Sequence, residues 1–87
     1  MESYSLVFKK SVAKDLRNIP NKDVKQILER IDLLIENQRA DGCIKLSGQE
    51  KYRARQGVYR IVYEIHDYEL IITVVKVAHR GTVYKSS

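Results

Sequence analysis

Apolar and polar positions alternate differently in the two halves of the chain. Residues 4–8, YSLVF, are a short β-rich apolar run that ends in a basic pair, which predicts a first strand. Ser11 is placed to cap a short helix with Val12, Leu16 and Ile19 on one side. Asn18-Ile19-Pro20 stops that helix, because a residue before proline is pushed out of the α region. Pro20 can open the next helix, where its missing N–H costs nothing. Val24, Ile27, Leu28, Ile31, Leu34 and Ile35 then recur at helical spacing. They form one stripe down about four turns. Asp41-Gly42 is expected to end this second helix.

From residue 52 the period becomes that of strands. Residues 52–56, YRARQ, are a short strand ending at Gly57. In 59–65, YRIVYEI, Tyr59, Ile61, Tyr63 and Ile65 point one way and Arg60, Val62 and Glu64 the other. Residues 66–69 read as a polar turn, with His66 in solvent. Residues 70–79 are almost wholly apolar, as expected for a strand central in a sheet. Three strands with short links make an antiparallel meander. The expected fold is α+β, in the order β-α-α-β-β-β, with a helical hairpin packed on one face of a mainly antiparallel sheet. At 87 residues it is read as a single small domain, 1–87.

Charge adds a direction to this picture. The chain carries 16 Lys+Arg and 11 Asp+Glu, a formal net charge of +5. Residues 1–44 are nearly balanced, with eight basic and seven acidic. Residues 45–87 hold eight basic and four acidic. That excess suits either a polyanionic or acidic partner or simply a solvated basic face. A single cysteine, Cys43, excludes an intrachain disulfide and reads as a loop or packing residue. No Cys/His spacing suits zinc, and no cofactor is expected. There is no secretory leader pattern and no run of ~20 apolar residues to span a membrane, so the expected setting is cytoplasmic with no membrane partner.

With helices on one face, the side chains of the other face follow from alternation. Arg53 and Arg55 are two apart and share a face of their strand. Arg60 opens the next strand, so the three cluster across a hairpin. Guanidinium forks of this kind suit the oxygens of a phosphodiester; exposed strand arginines kept for solubility are the bland alternative. All three are expected to be solvent-facing, with little influence on stability. Tyr59 and Tyr63 share a face with Ile61 and Ile65 and are expected in the core.

The stretch KLSGQEKYRARQGVYRIVYEIHDYELIITVVKVAHRGTVY, residues 45–84, resembles the second half of the RelE toxins of toxin–antitoxin systems. It shares the frame K-L-x-G, Y-[KR]-x-[KR], G-x-Y-R-[IL]-V-Y and V-x-[HK]-R-x-x-V-Y, and the opening strand and hairpin resemble that family's too. The resemblance implies a microbial-ribonuclease-like fold and cleavage of mRNA on the ribosome without a metal. In that chemistry the RNA 2′-hydroxyl attacks the adjacent phosphate. It also implies a cognate antitoxin protein, held in a hetero-oligomeric complex. Arg53 and Arg55 match the family's paired basic positions, Arg60 the arginine of G-x-Y-R, Arg80 the arginine after the last strand, and Tyr84 the base-stacking tyrosine. Arg55, Arg60, Arg80 and Tyr84 are thus the expected catalytic set, and Lys45, Lys51 and Arg53 the expected RNA-binding one. The family's best-known enzyme has lysine at the position of Arg55, proposed as general base. Arginine stays protonated far above neutrality and is a poor base. Histidine is the usual general base near neutrality, which makes His79 the candidate substitute, although strand alternation sets it on the face opposite Arg80. Two further readings are a ParE-like gyrase inhibitor on the same fold and an RNA-binding module without catalysis.

Overall fold

The computed structural model describes residues 4–37, 43–46 and 51–79. The elements are β1 (Ser5–Phe8), α1 (Lys10–Arg17), α2 (Asn21–Glu36), β2 (Ile44–Lys45), β3 (Lys51–Gln56), β4 (Tyr59–His66) and β5 (Ile71–His79). They build one five-stranded sheet in the order β1-β5-β4-β3-β2. β3, β4 and β5 form the expected antiparallel meander. β1 lies parallel to β5, from Ser5↔Ile71 to Phe8↔Val74. β2, which sequence periodicity did not indicate, is a two-residue edge strand antiparallel to β3.

The α1 boundary differs from expectation. Lys9 N–H donates to the Val74 carbonyl (3.0 Å), which carries the β1–β5 ladder one residue beyond β1. Lys9 therefore stays extended and becomes the N-cap, without a side-chain cap bond. Ser11 falls inside the first turn and caps nothing. The Asn18-Ile19-Pro20 stop acts as expected, since α1 ends at Arg17. Pro20 is the N-cap of α2 rather than its first helical residue. Its carbonyl accepts from Asp23 N–H (2.9 Å) and Val24 N–H (3.0 Å). α2 ends at Glu36; Asp41 and Gly42 lie outside the described residues.

Val12 from α1 and Ile27, Ile31 and Leu34 from α2 are all fully buried. Their partners on the sheet are Ala54, Ile61, Tyr63, Ile72, Val74 and Val77. Each large aliphatic buried this way contributes roughly 1.5–3 kcal/mol, and this layer fixes which face of the sheet stays outside. At the flanks of the helical stripe, Leu28 is exposed. His66 ends β4 opposite Ile71, half-buried, rather than standing in the turn. The turn is 67–70, and it closes with Leu70 at φ 55°.

Candidate functional site

The site is positioned by the β3–β4 hairpin. Gln56 pairs with Tyr59, so only Gly57 and Val58 form the loop. Gly57 has φ +60° and Val58 does not share the positive sign, the pattern of a type II′ turn, whose twist matches its strands. This turn sets the register as Arg55↔Arg60 and Arg53↔Val62. Directly paired residues share a face. Arg53, Arg55 and Arg60 therefore lie on one side of the sheet. Tyr52, Ala54, Ile61 and Tyr63 face the helices.

The three arginines differ in exposure. Arg55 is exposed and Arg53 half-buried. Arg60 is only 6% exposed, in a strip with Val62 at 8% and Ala78 at 9%. The expectation that all three stand in solvent with little influence on stability is corrected for Arg60. It sits in the middle strand, flanked by β3 and β5, where a long side chain is covered by its neighbours. Arg55 and Arg60 are like charges directly opposite across a strand pair, an arrangement that is destabilising alone. An anion shared between two guanidinium forks reverses that cost.

The other residues singled out from sequence are distributed as follows. Lys51 pairs with Glu64 on the arginine side, and its ammonium lies 3.9 Å from the Glu64 carboxylate. That carboxylate also lies 3.3 Å from His66 Nε2. Lys45 pairs with Tyr52, which assigns it to the helix side of the edge strand and separates it from Arg53. His79 pairs with Tyr59, and the two rings meet edge-on at 6.0 Å. It too belongs to the helix side, bordering a pocket of about 370 Å³ with Asp15, Asn18 and Ile19. The fold does not bring His79 to the three arginines. Arg80 and Tyr84 lie outside the described residues.

Two features of this region were missed in the sequence. Lys76 pairs with Val62 and so joins the arginine face; a lone charge inside an otherwise apolar strand was its trace. Asp15 accepts a hydrogen bond from Val77 N–H (3.2 Å). β1 ends opposite Val74, and beyond it the Asp15 carboxylate takes the place of a neighbouring strand for β5. Nothing in the local pattern marks that role. Asp23 likewise accepts from the Tyr59 hydroxyl (3.2 Å). Desolvation, and then this bond, raise the Tyr59 pKa.

Behind the sheet, Tyr63 stacks on Tyr52 with ring centres 5.8 Å apart. Burial, and then its hydrogen bond to Cys43, push its phenol well above the ordinary value. Arg30 Nη2 donates to the same Cys43 sulfur (3.4 Å). Cys43 is thus a packing residue against the core. Among the described residues no group of three or more His, Cys, Asp or Glu side chains could hold a metal ion, and no helix is long and apolar enough to cross a membrane.

This fold has close counterparts. The crystal structure of an archaeal RelE–RelB complex from Pyrococcus horikoshii OT3 matches with a TM-score of 0.80 at 30% identity, over 92% of this chain and 98% of that one. The isolated E. coli RelE toxin shares the fold with a TM-score of 0.75 at 23% identity, over 95% and 93% of the two chains. Toxin RelG of Mycobacterium tuberculosis is 26% identical over 84 residues, 94% of this chain and 97% of the relative. The family model described as the ParE toxin of type II toxin–antitoxin systems, parDE, matches residues 6–84. The chain therefore belongs to that family and is a type II toxin of the RelE/ParE group.

Proposed function

We propose that this toxin is a ribosome-dependent endoribonuclease that cleaves mRNA and so arrests translation. The observation that carries the reading is the shared face of Arg53, Arg55 and Arg60, with Arg55 and Arg60 directly opposed. Such a face suits a phosphodiester whose charge grows in the transition state. The RNA 2′-oxygen attacks the adjacent phosphorus and the P–O5′ bond breaks. The 2′-proton is lost to a base and the 5′-oxygen gains one. The products are a 2′,3′-cyclic phosphate and a 5′-hydroxyl, with no water consumed and no metal called for. In-line orientation and charge stabilisation supply the rate. Arg80 and Tyr84 enter on the family resemblance alone, Arg80 at the phosphate and Tyr84 stacked on a base, worth ~1–3 kcal/mol. His79 sits on the other face, which argues against it as the base. A cognate antitoxin is the natural partner, as RelB is for RelE in the Pyrococcus complex.

Programmed ribosomes supply the test. Wild-type protein should yield upstream fragments ending in a 2′,3′-cyclic phosphate. Arg80→Ala and Tyr84→Ala should each abolish growth arrest without loss of fold. A 3′-hydroxyl end, or full toxicity in both variants, refutes the mechanism. The matching family description, ParE, motivates a second reading, a gyrase inhibitor. In that case DNA supercoiling fails before protein synthesis when the toxin is expressed.

A further inference from the structure

The β4–β5 pairing holds a register shift that decides where one lysine points. From the turn, the strands pair as His66↔Ile71, Ile65↔Ile72, Glu64↔Thr73 and Tyr63↔Val74. Continued without interruption, that ladder would set Lys76 opposite Ile61, which is fully buried beneath the helices. A lysine there would bring an ammonium into the apolar core, at a cost of several kcal/mol or a lost proton. Instead the register shifts between Val62 and Tyr63, and the pairing resumes as Val62↔Lys76, Ile61↔Val77 and Arg60↔Ala78. Val75 is the extra residue of a β-bulge. Such bulges re-aim side chains and concentrate beside active sites. Val77, 1% exposed, takes the core position. Lys76 passes to the outer face, in one row with Val62 and Arg53.

We propose that Lys76 is a substrate-binding residue, which holds a backbone phosphate of single-stranded RNA beside the one gripped by the arginines. Arg53 and Lys76 stand on the two sides of β4, two strand spacings apart, about 10 Å. Side chains that rise in parallel from one face at that separation suit neighbouring positions along one strand of RNA. In that row only Val62 lies between them, uncharged and unable to compete for the phosphate. Lys76 is half-buried and also borders the pocket of Asp15 and His79 at the open edge of β5; a lysine so placed packs its stem on the protein and carries its ammonium to solvent. The inference rests on the reading of this face as an RNA site, and its test separates the two.

The experiment measures binding of a single-stranded RNA oligonucleotide across a salt series, alongside mRNA cleavage on programmed ribosomes. Lys76→Gln should weaken RNA binding about tenfold near physiological salt. It should also reduce the slope of log affinity against log salt by about 0.7, the share of one phosphate contact on a single strand. Lys76→Arg should restore both, and the melting temperature of each variant should match wild type. Lys25→Gln, the same charge change on the exposed side of α2, should leave the slope unaltered. A Lys76→Gln protein with wild-type affinity and slope overturns the proposal, as does an equal loss in Lys25→Gln. If the wild type binds RNA but does not cut mRNA, the nuclease reading falls and the binding data alone decide on Lys76. If it binds no free RNA, the Lys76 proposal falls, and cleavage on the ribosome alone decides the nuclease reading.

Discussion

Tyr63 is fully buried, and its phenol is held above its ordinary pKa of 10.0, first by burial and then by the Cys43 contact. The folded chain keeps this proton above pH 10, where an unfolded chain releases it. The native state then binds more protons than the unfolded one, so stability is intact below about pH 10 and falls as pH rises beyond it. Tyr63→Phe should cost about 0.5–1.5 kcal/mol at neutral pH through the lost hydrogen bond. It should also lose less stability than wild type between neutrality and about pH 11, as read by urea unfolding at both pH values. Equal alkaline losses in the two proteins would contradict the assignment. The arginines give a second contrast. Arg60→Gln removes a buried side chain and should cost about 1–3 kcal/mol, whereas Arg55→Gln, on the exposed residue, should stay within about 0.5 kcal/mol. Both should weaken RNA binding. A thermal melt separates them, and equal stabilities would mean that Arg60 is not covered in solution.

At the level of elements, the arginine face depends on a two-residue turn. Gly57 has φ +60°, and a Cβ built there would meet nothing within 4 Å. Gly57→Ala should therefore cost about 1–2 kcal/mol by backbone conformation alone. The folded fraction should keep the Arg55↔Arg60 register and normal RNA binding. A neutral Gly57→Ala variant would show that the turn relaxes at no cost. The α2 stripe and the β3–β4–β5 meander were legible in the sequence because periods of 3.6 and 2 are written locally. The Val75 bulge was not. It answers a conflict between Lys76 and the core beneath Ile61, which exists only once β4 and β5 are paired. β2 was illegible for a related reason: two residues carry no period, and Ile44–Lys45 is a strand only because β3 lies beside it. Ser11 misled because a good capping residue was pre-empted by the Lys9–Val74 bond.

Across the whole molecule, charge and topology separate the two faces. The basic excess of residues 45–87 was visible in composition, and alternation grouped Arg53, Arg55 and Arg60 before any fold was known. Their unequal burial was not visible, because it follows from strand order: β4 lies inside the sheet and β3 nearer its edge. The separation of Lys45 and His79 from the arginines likewise required the register. Charge at this scale should appear as a salt effect. Ribosome binding by wild type should weaken steeply as salt rises, and Arg55→Gln should flatten that dependence by roughly one counterion. A slope unchanged by the substitution would remove Arg55 from the phosphate contacts.

The parallel pairing of β1 with β5 has a consequence in time. Ser5 and Ile71 are neighbours in the sheet but more than sixty positions apart in the chain. At a synthesis rate of about 5–20 residues per second, β1 waits roughly 3–13 seconds for its partner. β4 is also made before β5, so both strands that flank β5 present open edges until it emerges. Ile72, Val74 and Val77 complete the core only then. A chain arrested at Leu70 should be digested by a protease that spares the released protein. The fold of this toxin is thus completed only as β5 emerges, when the strand that joins β1 to the meander is in place.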